Sequence, residues 1–377
     1  MKEIYKDFIC LLSCAVNGTQ PDKARVQNMD LEQLYRLAKY HSVRAAFCIV
    51  LERAGVHNKS LFEAYMKSVR KNIYLDAELA AITSDFEHQG IWYMPLKGSV
   101  LKDLYPETGM REMADCDVLF DAQKQYQVMD IMIAHGYSAE IVGKSNHDVY
   151  KKPPVLNFEL HSALFGSSHA EPLFRYYADV KRRLIKNKDN RCGYHFSDED
   201  FYVYITAHEW KHYSGGGTGM RSLLDCYVYC KAKGGQLDWN YISEQCRQLE
   251  IADFERKRRR LAVKVFSSET LPRLTESEAE MLMYYLTAGT YGTVENSIKN
   301  KLRKQSKASY ILHNLFPNVD YMRKSVSFVE RCQLLYPVGI VYRWGRILIM
   351  RRKLLKKIIK VMKQNDNRKI QDRRKGH

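Results

Sequence analysis

From about residue 91 to residue 161 the apolar side chains stop repeating at helical spacing and begin to alternate every second residue, and this switch bounds the folds open to the chain. Ile91-Trp92-Tyr93-Met94 is a short β-rich run that ends at Pro95-Leu96-Lys97-Gly98-Ser99. Val118-Leu119-Phe120 is a second apolar run, with Asp115 and Asp117 just before it. Gln123 to His135 has helical spacing closed by Gly136, and Tyr137 to Val142 reads as a strand. His147 to Lys152 and Val155 to His161 read as two strands joined at Lys152-Pro153-Pro154. The result is a compact strand–helix–strand–helix–strand unit. Residues 2–90 read as helices instead, with stripes at Leu31, Leu34, Leu37 and Ala38 and then at Ala45, Ala46, Cys48, Ile49 and Leu51. Asn58 or Ser60 is expected to cap a long helix from Leu61 to about Glu87 that Gly90 ends. From Pro172 to about Leu335 the spacing is helical again. The expected organisation is therefore a helical segment at 1–90, an α/β core at 91–165, a helical domain at 166–336 and a basic amphipathic tail at 337–377.

Composition narrows the class. Of 377 residues, 45% are hydrophobic and 12% aromatic, ample for a core and incompatible with global disorder. Mean hydropathy is −0.44, and no stretch reaches about eighteen apolar residues, so no transmembrane segment is expected. The nine Cys contain no C-x-x-C. Cys10/Cys14 and Cys226/Cys230 have i, i+4 spacing in apolar surroundings, the pattern of buried thiols in a reducing cytoplasm. Leu11-Leu12-Ser13-Cys14 has the look of a lipoprotein cleavage box, but Glu3 and Asp7 stand where that signal needs basic residues. Phe8, Leu11, Leu12 and Ala15 fit one helical face instead. The formal charge is +17, which predicts an anionic partner. It is unevenly placed: residues 341–377 hold fourteen Lys/Arg against Asp366 and Asp372, a net of +12.

The α/β unit carries the chemistry. In Asp115-Cys116-Asp117 at a strand, alternation puts both carboxylates on one face. Two adjacent carboxylates need a positive charge between them, and Mg²⁺, a hard cation held by one or two carboxylates plus substrate phosphates, suits them. A second D-x-D, Asp198-Glu199-Asp200, precedes an apolar helical run and reads as an N-terminal cap with acidic first-turn residues. Upstream of Asp115, Lys97-Gly98-Ser99 lies where a strand turns into a helix, so that backbone, hydroxyl and helix N-terminus favour phosphate. Downstream, Asn157, Glu159 and His161 share a strand face, and Glu159 is a candidate third carboxylate for a two-metal site.

Lys97-Gly98, Tyr105, Arg111, Asp115, Asp117 and Glu159 with His161 together resemble the DNA polymerase β-like nucleotidyltransferase superfamily, and within it the bacterial group of uncharacterised nucleotidyltransferases. Arg221 followed by Leu-Leu-Asp225, Leu237-Asp238-Trp239, Leu315-Phe316-Pro317 and the Tyr336-Pro337 region with Arg343 extend the resemblance over roughly residues 5–350. It implies an α+β fold, a small mixed-sheet nucleotidyltransferase core flanked by N- and C-terminal helical segments. It also implies ATP or another NTP as donor, Mg²⁺ or Mn²⁺ as cofactor, and transfer of a nucleotidyl group to an acceptor hydroxyl on a small molecule, RNA or protein. Asp115, Asp117 and Glu159 would be metal ligands and catalytic groups, Gly98 and Ser99 would cradle phosphates, and Lys97 and Arg111 would be countercharges. Glu159 departs from the pattern, where Asp is more usual. An inactive core retained as a nucleotide- or RNA-binding module is an alternative.

Outside the core, His208-Glu209-Trp210-Lys211-His212 satisfies the H-E-x-x-H helix signature of zinc metalloproteases, a rival reading. Its extended form wants a third His where Thr218 stands. The milder reading has His161, His208 and His212, with an i, i+4 pair of Arg221 and Asp225, contacting substrate. Arg256-Lys257-Arg258-Arg259-Arg260 spreads around a helix and is expected to be solvated. In the tail, Trp344, Ile347, Leu348, Leu355 and Ile358 track one side of a helix from Val338 to about Lys363, with Arg/Lys on the rest. Residues 338–375 are thus candidates for an anionic membrane or RNA contact, or else their apolar stripe docks on the body.

Overall fold

The computed structural model describes residues 1–166 and 169–350. Its centre is a five-stranded mixed sheet of β1 (Tyr93–Pro95), β2 (Cys116–Phe120), β3 (Ser138–Ile141), β4 (His147–Lys152) and β5 (Leu156–His161), in the order β1-β2-β5-β4-β3. Only β2 and β5 run parallel; the other neighbours are antiparallel. The fold is α+β, as the pattern predicts. The interior strand β2 is buried throughout, whereas β3 at the edge is exposed along its length, and its irregularity between Ala139 and Ile141 blunts that edge against further pairing. β1 at the other edge tolerates Pro95 at its end. It starts at Tyr93 and not at Ile91 because the Ile91 N–H is spent on Phe86 O (2.8 Å), closing the preceding helix.

Alternation gives the sheet two different faces. Cys116, Val118, Phe120, Phe158 and Leu160 join Leu75, Ile82 and Phe86 of the Lys59–His88 helix and Val128, Ile131 and Met132 of the Gln125–Ala134 helix in one core. Leu119 on the opposite face joins Phe165 and Tyr204 in a second core that includes the Asp198–Gly215 helix. Asp117 and Glu159 lie on this second face. The long helix is capped by Asn58, whose side chain accepts from Leu61 N at 3.1 Å, a contact worth about 1 kcal/mol. The Glu3–Asn17 helix buries Phe8, Leu11, Leu12 and Ala15 as expected.

Two features differ from the sequence pattern. The 172–335 stretch is not wholly helical: β6 (Ile185–Lys186) and β7 (Tyr194–His195) form a ribbon, and Gly193 bridges to Tyr93, covering the β1 edge. The basic run at 256–260 is not uniformly solvated either. Arg258 is fully buried, with its guanidinium Nη1 2.8 Å from the buried Glu209 carboxylate. On a helix that run meets every face in turn, so one member had to enter the core.

The chain divides into two compact units, one of residues 1–211 and 219–290, the other of residues 212–218 and 291 onward. In the first, Met220–Lys233, Trp239–Gln248, Ala252–Phe266 and Glu276–Ala288 follow the sheet. The second contains Val294–Lys304, Lys307–Leu315, Val319–Ser325 and Tyr336–Met350. Of the basic amphipathic tail expected at 337–377, residues 351–377 lie outside the described residues. Among the described residues no helix is long and apolar enough to cross a membrane.

Candidate active site

The parallel pairing of β2 with β5 sets Asp117 directly beside Glu159, and His161, two residues on, projects from the same face. β4 then brings His147 opposite His161, with ring centroids 5.1 Å apart. Asp117 Oδ1 accepts from Lys97 Nζ at 2.6 Å and lies 2.8 Å from His161 Nε2. Glu159 Oε2 is 3.9 Å from both His161 Nε2 and His147 Nε2. One ligand atom from each of Asp117, Glu159 and His161 lies within 4.8 Å of the others. Among the described residues this is the group of three or more His, Cys, Asp or Glu able to close on one ion. Asp115, just before β2, stands outside that trio but within reach of the Asp117 charge.

Electrostatics separates the five acid–base groups. Burial alone would raise the Asp117 pKa, but the Lys97 ammonium and the His161 hydrogen bond hold it well below the usual carboxylate range. For Glu159 the balance is reversed: burial, then the charges of Asp117 and Asp115, outweigh Lys97 and Lys211 and push it up to about 7. Burial and the Asp117 charge also raise Asp115. Burial lowers His161 to about 4, so its imidazole is neutral at pH 7. Lys97 stays charged because the Asp117 carboxylate outweighs the cost of burial.

The turn that delivers Lys97 is tightly specified. Lys97 has φ +43°, in the left-handed region that a side chain enters only at a cost of about 1–3 kcal/mol. A Cβ on Gly98 would meet Met113 Cε at 2.5 Å and Arg111 Nη1 at 2.7 Å, so only glycine fits without displacing them. The helix that follows is a single turn, Gly98–Leu101.

A model of the uncharacterised nucleotidyltransferase family matches residues 27–267, well over half of the chain and every residue of this cluster. The chain belongs to that family. No curated protein and no solved structure matches it.

In this family member the remaining expected site residues fall into three places. Ser99 places its hydroxyl 3.3 Å from Cys116 Sγ, on the side of β2 opposite Asp117. Arg111 is buried, its Nε and Nη2 donating to the two Asp225 oxygens at 2.8 and 2.9 Å, while Tyr105 OH donates to the same carboxylate at 2.6 Å. The expected Arg221–Asp225 pair therefore does not form, because Asp225 is already taken; Arg221 donates to Glu112 O at 3.1 Å. Arg111 and Asp225 instead fasten the core to the Met220–Lys233 helix. His208 and His212 belong to the Asp198–Gly215 helix, and neither joins a three-ligand group among the described residues. The zinc-protease reading fails on Glu209. Its buried carboxylate takes Arg258 Nη1 at 2.8 Å and Tyr285 OH at 2.6 Å, leaving no base for a metal-bound water.

Two further residues belong to the site. His147 is recognisable only once β4 is registered against β5. Lys211 lies three residues after His208 and seven after Tyr204, a spacing that places all three along one helical face. Its ammonium has no hydrogen-bond or ion-pair partner among the described residues, lies 6.0 Å from the Phe165 ring, and is lowered to about 8 by burial and by Lys97. Asp117 and Glu159 act on it in the opposite direction.

Proposed function

We propose that this protein transfers a nucleotidyl group from an NTP to an acceptor hydroxyl, with Asp115, Asp117 and Glu159 as the acidic centre. The observation that carries this reading is the Asp117–Glu159–His161 cluster on adjacent strands, with ligand atoms within 4.8 Å, in a chain of a nucleotidyltransferase family. Divalent metal fits these residues by donor chemistry: two carboxylates and a neutral imidazole converge, and the one oxygen shared by two donors already holds an ammonium at 2.6 Å. Such a cation would stabilise charge on the transferring phosphate and lower the pKa of the acceptor hydroxyl.

The chain's own groups supply the rest. In the proposed reaction the acceptor oxygen bonds to the α-phosphorus, the α–β bridging P–O bond breaks, and pyrophosphate leaves. Glu159, whose charge burial and the Asp117 carboxylate disfavour in the metal-free site, is the carboxylate proposed to accept the hydroxyl proton. Gly98 allows close approach of the backbone to phosphate. Lys97, by exchanging its Asp117 contact for phosphate, and Lys211 are the cations proposed to balance the triphosphate, while Arg111 is engaged through two hydrogen bonds to Asp225. The reading is tested by incubating the protein with labelled NTPs, Mg²⁺ or Mn²⁺ and cell extract, then finding by mass spectrometry what gains the mass of a nucleotide. Labelling lost in an Asp115→Asn/Asp117→Asn variant is expected. Equal labelling by both proteins sinks the assignment, and nucleotide binding without any pyrophosphate release identifies an inactive binding module.

A further inference from the structure

We infer that His161 ligates the metal directly, and that the centre therefore selects a first-row transition dication such as Mn²⁺ over Mg²⁺. This rests on the metal-centre reading above and adds the identity of the ion.

The distances carry it. Around an ion with ligands at about 2.1 Å, cis donors are about 3.0 Å apart and trans donors about 4.2 Å. His161 Nε2 stands 2.8 Å from Asp117 Oδ1 and 3.9 Å from Glu159 Oε2. These separations match a cis pair and a wide pair on one ion, with the imidazole as the central donor of the three. His161 is 4% exposed, so its nitrogen faces the cluster and not solvent. Its Nδ1 is buried without a hydrogen-bond partner. No carboxylate or carbonyl among the described residues accepts from Nδ1, so turning the Nε2 lone pair to an ion leaves an Nδ1–H without a protein acceptor, a cost that the metal–nitrogen bond has to outweigh.

The consequence follows from ligand type. Mg²⁺ takes oxygen donors and dehydrates reluctantly, whereas first-row transition dications accept imidazole and bind more tightly as nitrogen replaces oxygen. An oxygen-only triad is indifferent to that distinction; this one is not.

The test uses the full-length, metal-stripped protein with Mn²⁺ alone and in competition with Mg²⁺. Pulsed electron paramagnetic resonance of bound Mn²⁺ is expected to show coupling to a ¹⁴N nucleus in wild type and in His147→Gln, and to lose it in His161→Gln. The ratio of Mn²⁺ to Mg²⁺ affinity is expected to fall about tenfold in His161→Asp, which restores an all-oxygen set. Wild-type and His147→Gln spectra together decide the matter even if a His161 variant does not fold. Bound Mn²⁺ without nitrogen coupling overturns the inference while leaving the metal centre intact, as does coupling that vanishes in His147→Gln alone. Binding of neither ion, with or without ATP, overturns both this inference and the reading beneath it.

Discussion

Lys211 is a lysine whose charge is expensive to keep. Burial and the neighbouring Lys97 lower it to about 8, so it is mostly protonated at pH 7 and loses its proton as pH rises through 8. If it faces a triphosphate, binding draws on that proton. The affinity for a non-hydrolysable ATP analogue, measured by calorimetry with metal held constant, is then expected to be highest near pH 7 and to fall several-fold by pH 9. Lys211→Met should bind more weakly at pH 7 and show a smaller fall, the remainder coming from ionisation of Glu159, which lies near 7 in the same site. A variant with the wild-type pH profile would remove Lys211 from the site. Residues of this kind mark where sequence reading stopped. Asp117 and Glu159 were legible because strand alternation and the family resemblance agree on them. His147 and Lys211 were not, because each reaches the site through register or packing that no local period encodes. Arg111 was legible as a charge but not in its role, since its partner Asp225 lies 114 residues away.

At the scale of elements, the Asp198–Gly215 helix shows how packing overrides a motif. Its H-E-x-x-H spacing is real, yet Glu209 turns into the core against Arg258, both buried. Removing one member leaves an unpaired buried charge, so Arg258→Met is expected to cost about 3–5 kcal/mol in denaturant unfolding. The double change Glu209→Gln/Arg258→Met should recover much of that loss, a coupling visible in a double-mutant cycle. Additive losses would mean that the pair contributes nothing as a pair. The Lys97–Gly98 turn makes a second case. Gly98→Ala places a methyl group against Met113 and against an Arg111 that its Asp225 bonds hold in place. Overpacking of this sort costs about 1–3 kcal/mol, and because the turn carries Lys97, nucleotide labelling should fall by more than the melting temperature suggests. The long, strongly periodic elements were readable from sequence, and the strands of the sheet were placed to within a few residues. The β6–β7 ribbon was not, since two-residue strands have no period to detect.

For the molecule as a whole, the unresolved question in the sequence is its charge. Of the formal +17, residues 341–377 hold +12, while the acidic cluster that the proposed chemistry uses lies in the first compact unit. Catalysis and net charge are therefore separable. Replacing Arg351, Arg352, Lys353, Lys356, Lys357 and Lys360 by Gln removes six positive charges without touching a residue of the site. If this segment engages single-stranded RNA, each phosphate contact contributes a slope of about −0.7 to the dependence of log affinity on log salt. The variant should then show a slope shallower by about 4, and weaker binding at low salt, in fluorescence anisotropy with a labelled oligonucleotide. If the basic segment and the nucleotide site act separately, ATP affinity should stay within about twofold of wild type. An unchanged slope would assign RNA contact elsewhere and leave anionic vesicles as the surface on which to repeat the measurement. A parallel loss of ATP affinity would show that the basic segment and the nucleotide site act together, against the separation argued here.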